Sequence, residues 1–295
     1  MKTGKRIARL AHLACLLEAC APKPGNVNRH YDFTDSSLED FLLSAEAIVP
    51  AFENAAHKGI GHIVWQAVVD TRRWVRSNTN LGMILLLAPL VKACLTDSDI
   101  AASDAVGQKG VEHVRERLSA LLKSLTVEDA RLAFTAIRLA QPSGLGRVSQ
   151  ADIAEEPSVT LLQAMALARD RDAVAHEYVT DFEITFETGL PALKEALSRG
   201  ERFFNAIVHS FLTILSQVPD TLIARKKGQD AARQVSSWSR RVLLEGGIFT
   251  PLGRERLAEM DRGLRDATHS LNPGTTADLT AAAVFLALLE APPHS

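Results

Sequence analysis

The run LGMILLLAPLVKACL, Leu81 to Leu95, constrains this chain more than any other stretch. Its apolar residues neither alternate with polar ones nor keep to one helical face, so a helix formed here must be covered on every side. A bilayer could cover it, but a span needs about 20 apolar residues. This run is shorter and is interrupted by Pro89 and Lys92. The cover must be protein, and a chain of 295 residues is long enough to supply it without disulfides or structural metals.

The remaining pattern says what kind of protein. Apolar residues recur at intervals of three and four, and strict alternation is scarce; Phe203, Ile207, Phe211 and Leu215 form one wide stripe with Phe204, Val208 and Leu212 beside it. The expected fold is all-α, one large multi-helix domain over residues 1–295 with the apolar helix at its centre. Helices are predicted at 5–20, 37–56, 60–76, 80–95, 107–124, 127–140, 158–168, 171–198, 201–217, 221–226, 229–245, 254–267 and 276–290. No repeat of 30 to 50 residues and no low-complexity linker divides the chain.

Charge and cysteine usage exclude several classes. With 33 basic and 35 acidic residues the formal charge is −2, which gives no support to nucleic-acid binding through counterion release. Cys15, Cys20 and Cys94 lie in apolar settings without CxxC spacing and read as buried, reduced thiols. The basic, apolar N-terminus superficially suggests a signal peptide. Arg9, His12 and Glu18 break that run, and Ile7, Leu10, Ala14 and Leu17 keep helical spacing, so a first structural helix is expected. The expected address is the cytoplasm, with no membrane partner; a homodimer is left open.

Four polar segments interrupt the helices: PKPGNVNRHYDF, RSNTNLGM, the loop Gln141 to Val159, and HSLNPGTTADL. Each has a plain structural account beside a functional one. Thr79 or Asn80 is placed to cap the apolar helix, and such an N-terminus also suits a phosphate. Thr275 and Asp278 approximate a capping box after Pro273-Gly274, where Asn272 and a carboxylate could meet a phosphate or magnesium. Pro24-Gly25 makes a turn by itself but does not explain Lys23, Asn26, Asn28, Arg29, His30 and Asp32 around it. The loop 141–159 reads equally as a linker or as a functional loop. His57 and His62 lack zinc spacing, GLGRV is no dinucleotide fingerprint, and no Walker motif occurs. ARKKG, Ala224 to Gly228, is a phosphate clamp or a helix C-terminus favouring cations, the second being the simpler account.

Taken in order, KPGNVNRHYDF, FLLSAEAIVPAF, TNLGMILLLAPL, PDTLIARKKG and LNPGTTADLTAAAVFLALLE resemble the triphosphoribosyl-dephospho-CoA synthase family across roughly Ala14 to Glu290. The resemblance implies an all-α transferase that moves a triphosphoribosyl unit from ATP, with magnesium, to the 2′-hydroxyl of 3′-dephospho-CoA and releases adenine. Lys23, Pro24 and Gly25 match the family K-P-G, Asp32 the aspartate after it, and Ser44 the serine of the next helix. Thr79 and Gly82 match the ends of T-H-K-G, and Asp220-Thr221 an aspartate-threonine pair. Pro273, Gly274, Ala277, Asp278 and Leu279 match P-G-G-S-A-D-L. It thereby implies Asp32 and Asp278 as catalytic and magnesium-binding groups. Lys23, Gly25, Asn28, Arg29, Thr79, Asn80, Gly82, Asn272, Gly274 and Thr275 would hold the nucleotide and its phosphates. Asn80 and Leu81 replace the histidine and lysine of T-H-K-G, which leaves Lys23 and Arg29 to carry more of the phosphate charge. The T-N-L-G form resembles a branch of archaea and methylotrophs. For that branch the alternatives are a related transfer in one-carbon cofactor synthesis, of methanopterin or methanofuran type, or a non-catalytic nucleotide-binding helical protein.

Overall fold

The computed structural model describes residues 3–97, 100–101, 103, 105–144, 146 and 150–291. Positions 145 and 147–149, which belong to GLGRV and the loop 141–159, lie outside the described residues, as do the last four residues. The first half of the chain forms α1 (Thr3–Cys20), α2 (Leu38–Ala47), α3 (Val49–Glu53), α4 (Ile60–Arg72), α5 (Leu81–Leu95), α6 (Gly107–Lys123) and α7 (Val127–Ala140). The second half forms α8 (Leu161–Ala168), α9 (Ala173–Val179), a π-helix (Ile184–Gly189) and α10 (Leu190–Ser198). It continues with α11 (Phe203–Gln217), α12 (Thr221–Lys227), α13 (Gln229–Leu244), α14 (Pro251–Leu264) and α15 (Gly274–Glu290). Among the described residues there is no strand; Asn28 and Tyr31 form an isolated antiparallel bridge. The fold is all-α.

As its composition requires, α5 is buried without interruption from Met83 to Val91 and packs on α1, α4, α6 and α15. Lys92 leaves the core at the helix end, where its ammonium meets Ala55 O at 3.2 Å and Ala56 O at 3.3 Å. A second central helix stands beside it. Between Thr275 and Leu289, α15 buries every residue except Asp278, so one carboxylate interrupts an otherwise closed surface. No single helix among the described residues is long and apolar enough to cross a membrane. The bent pair of α11 and α12 passes that test by length and composition only.

Pro89 poses a problem inside α5: it has no N–H to give the carbonyl of Leu85, one turn earlier. Tyr178 of α9 solves it, donating its buried hydroxyl to Leu85 O at 2.7 Å. Tyr178→Phe leaves that carbonyl buried and unpaired and is expected to cost about 1–3 kcal/mol, read as a lower urea midpoint at unchanged m-value. A matched loss for Tyr178→Phe in a Pro89→Ala background would overturn this account, because the restored N–H would already fill the carbonyl.

Two predicted helices are broken by chemistry the periodicity hides. The segment 37–56 divides into α2 and α3 because Pro50 stands in the first turn of a new helix. The segment 171–198 divides because Asp181 and Phe182 take left-handed backbone angles, φ 52° and 60°. The buried Glu177 carboxylate then accepts the N–H groups of Ile184 (3.0 Å) and Thr185 (2.7 Å) and the Thr185 hydroxyl (2.6 Å), seeding the π-helix. Burial pushes Glu177 up to about 7 despite those three donors.

Candidate active site

A cavity of about 540 Å³ opens where the C-terminal end of α1 and the N-terminal ends of α5 and α15 meet. That volume suits a nucleotide-sized ligand. One wall, from Phe134 and Ile137 of α7, Met165 of α8 and Val174 of α9, is apolar; the helix ends make the polar walls, and Arg76, Arg171, Arg225 and Lys226 supply cations.

Asp278 belongs to this cavity. Its neighbour across the space is Gly82, where any Cβ would overlap the Asp278 carboxylate; glycine in the first turn of α5 is what lets the two central helices approach here. No hydrogen bond or ion pair engages that carboxylate among the described residues. Its partial exposure is to the cavity. Enclosure by protein therefore raises its proton affinity well above the ordinary aspartate value, and the nearby Glu18, Asp220 and Asp172 raise it further against the opposing Arg225.

The T-N-L-G turn is built as a frame. Ser44 donates to Asp40 O at 2.6 Å, so the 2.5 Å contact between Ser44 Oγ and Thr79 Oγ1 must have Thr79 as donor. Asn80 Nδ2 donates to Ser44 O and to Thr71 Oγ1, both at 3.2 Å. The side-chain cap of α5 is neither Thr79 nor Asn80 but Asn78, whose Oδ1 accepts the Leu81 N–H at 3.2 Å. Leu81 is buried with the core and also lines the cavity. Thr79, Asn80 and Gly82 all line the cavity, as framework and backbone rather than as charge.

At α15 the capping box suggested by Thr275 and Asp278 does not form. Asp220, the N-cap of α12, does the work from outside: Oδ1 accepts Leu222 N (2.9 Å) and Ile223 N (3.0 Å), while Oδ2 accepts Thr276 N (2.7 Å) and Thr276 Oγ1 (2.8 Å). One buried carboxylate thus ties two helix starts together. Thr275 accepts the Thr221 hydroxyl at 3.1 Å; with Gly274 and Asn272 it lines the cavity.

The K-P-G-N-V-N segment is placed differently from its phosphate reading. Lys23 is buried and lines the cavity, but its ammonium donates to Glu18 O and to Ala21 O at 3.3 Å and forms an ion pair with the Glu18 carboxylate at 2.9 Å. Two of its N–H groups are spent on carbonyls at the end of α1, and the adjoining Glu18 carboxylate offsets its charge. Gly25 takes φ 72°, gives its N–H to Asp261 Oδ1 at 2.8 Å, and packs against Leu264 and Pro273 off the cavity. Asn28, also off the cavity, shapes the turn by accepting His30 N at 2.9 Å. Arg29 is exposed and lies over the Phe204 ring, 5.0 Å from its centre. Asp32 is exposed and caps α2 through the Leu38 N–H at 2.7 Å. Neither Arg29 nor Asp32 lines the cavity.

Other groups stand where those were expected. Arg225, from the ARKKG run, reaches the cavity and pairs with Asp172 Oδ2 at 2.6 Å. Asp172 Oδ1 in turn caps α9 through Val174 N and Ala175 N. Reading 171–198 as one helix hid that cap. The exposed guanidinium groups of Arg76 and Arg171 have no partner among the described residues.

This chain is similar to known proteins along its whole length. The family model described as CitG, ATP:dephospho-CoA triphosphoribosyl transferase, matches residues 4–294. A Pseudomonas fluorescens protein named "Probable 2-(5''-triphosphoribosyl)-3'-dephosphocoenzyme-A synthase" is 28% identical over 306 residues, covering 97% of this chain and 92% of its own. A Pseudomonas paraeruginosa protein of the same name is 37% identical over 103 residues, 35% of this chain and 34% of its own. A crystal structure from Archaeoglobus fulgidus, described as a "putative triphosphoribosyl-dephospho-coA synthase", superimposes with TM-score 0.63 and 29% identity, covering 84% of this chain and 98% of that one. The class defined by these matches is an all-α transferase of coenzyme biosynthesis. Within it, the chain belongs to the ATP:dephospho-CoA triphosphoribosyl transferase family.

Proposed function

We propose that this single-domain, cytoplasmic protein transfers the triphosphoribosyl group of ATP to the 2′-hydroxyl of 3′-dephospho-CoA. The observation that carries the reading is convergence: segments around residues 23, 80, 225 and 275, far apart in sequence and all carrying the family motifs, share one cavity with the unpaired Asp278 at its wall. The relatives' names favour this transfer over the one-carbon cofactor alternative.

In the proposed step the acceptor hydroxyl attacks C1′ of the ATP ribose. The new C–O bond forms as the C1′–N9 bond breaks, its electron pair leaves with adenine, and the hydroxyl proton passes to Asp278, which returns it to the departing base. Asp278 suits that task because its raised proton affinity strengthens it as a base while the absence of hydrogen bonds leaves both oxygens free. Arg225, Arg171 and Arg76 hold the phosphates in place of Lys23 and Arg29.

No three ligating side chains converge among the described residues, so they fit magnesium only in its usual sparse mode, on one or two carboxylates and substrate phosphates. Asp172, beside Arg225, would reach it, and Asp32 would not. When bound, the ion neutralises triphosphate charge. Chromatography of Mg-ATP incubated with dephospho-CoA is expected to show equal yields of adenine and coupled product; ATP binding with no adenine release would sink the reading.

A further inference from the structure

The turn from His269 to Asn272 holds two polar atoms that the protein covers and leaves without partners. His269 Nε2 accepts the backbone N–H of Thr34 at 3.2 Å, which places the proton of the neutral ring on Nδ1. That Nδ1 is buried and bonded to nothing, and so is Asn272 Oδ1. Buried polar groups are nearly always paired. A donor and an acceptor orphaned in one turn, both on residues that line the cavity, suit a ligand with the complementary pair, which reaches them as the two side chains turn out from under the protein that covers them.

The turn is also anchored to its surroundings. The His269 ring stacks on Phe33, another cavity residue, with centroids 3.9 Å apart and planes at 14°. Its backbone takes φ 49°, and its carbonyl accepts the Lys226 ammonium at 3.3 Å. A stacked aromatic pair beside a donor and an acceptor supplies the groups that a flat heteroaromatic base uses.

We propose that this turn reads the adenine of ATP, Asn272 Oδ1 accepting the exocyclic amine and His269 Nδ1–H donating to the neighbouring ring nitrogen. The proposal rests on the reading of the cavity as an ATP site. Adenine presents a donor beside an acceptor; hypoxanthine carries a carbonyl in place of the amine and sets acceptor against acceptor. The placement also suits the reaction. Asp278 lies one turn along α15 from Gly274, about 6 Å at 1.5 Å per residue, so a base anchored at Asn272 directs its glycosidic bond towards the carboxylate. A hydrogen bond to the ring nitrogen strengthens as negative charge builds on the leaving base.

The test is equilibrium binding of Mg-ATP, Mg-ITP and the triphosphate of purine riboside, which lacks the amine, to the full-length protein. The wild type should prefer ATP over both analogues. Asn272→Ala, and His269→Phe, which keeps the stack on Phe33, should each weaken ATP by about tenfold and ITP little, bringing the ratio towards one. Equal weakening of all three nucleotides would mean a merely structural turn and would overturn the proposal, as would a wild type that binds them alike, an outcome requiring no variant to fold. A clear ATP preference lost in the variants, together with no adenine release in the presence of dephospho-CoA, would leave this inference standing and remove the transfer reading instead.

Discussion

Asp278→Asn is expected to lower kcat for adenine release by about 10²–10⁴-fold, the usual contribution of a general base, and to melt no lower than the wild type. The two effects share one cause. A carboxylate enclosed by protein, unpaired and facing three other acidic groups, is costly to keep ionised, and that same cost makes it a stronger base. The sign follows from linkage. The folded-state pKa lies above the unfolded value of about 3.8, so folding favours the protonated form. Wild type and variant should be equally stable in acid, and the variant should gain as pH rises through the folded-state pKa. The wild-type kcat/KM should fall on an acid limb above the ordinary carboxylate range, and that limb should vanish from the residual activity of the variant. A variant retaining full turnover would exclude Asp278 as the base. Gly82→Ala, which drives a Cβ into the same carboxylate, should reproduce the loss of turnover without the gain in stability.

Asp220→Ala should produce the largest loss of stability, about 3–5 kcal/mol, because several buried donors lose their acceptor at once at about 1–3 kcal/mol each before relaxation. Its carboxylate meets four donors from two helix starts, and alanine leaves all of them without an acceptor. The N-terminal turn of α15 carries Gly274, Thr275 and Asp278 and should fray with it. Hydrogen exchange at Thr276 should therefore accelerate more than exchange in the centre of α5, which shares the core but not the cap. A denaturation midpoint within experimental error of the wild type would show that the helix starts are held by something else. Asp220→Asn should recover part of the loss, since one carboxamide oxygen can still accept while its amide nitrogen opposes the remaining donors.

Much of the fold was legible because helix formation is written in short-range periodicity. The stripe along Phe203, Ile207, Phe211 and Leu215 became α11, and the apolar run at Leu81 became the central helix it had to be. The misjudged helices, 37–56 and 171–198, each run through a break that apolar spacing does not record: Pro50 opens a new helix, and Glu177 reaches the backbone seven and eight residues on, beyond the four-residue reach of a helical turn. The lining of the cavity was legible in part. Thr79, Asn80, Gly82, Asn272, Gly274, Thr275 and Asp278 all line the cavity. Lys23 lines it too, whereas Gly25, Asn28, Arg29 and Asp32 lie off it; a side chain's type does not say which way the fold turns it or which of its donors are already used.

The amino-acid sequence by itself determined the helical class, the buried run at the centre and, through five motifs in order, the family. These depend on residues near one another in the chain or on patterns that survive without coordinates. Tertiary structure alone decided which charges remain available: Lys23 is tied to two carbonyls and the Glu18 carboxylate at the end of α1, Asp32 caps α2, and Asp278 keeps both oxygens free because Gly82 leaves room for them. The physical reason is that hydrogen-bond capacity is finite and is consumed by whichever partner folding brings within 3 Å or so, and that partner is commonly a segment far away in the chain.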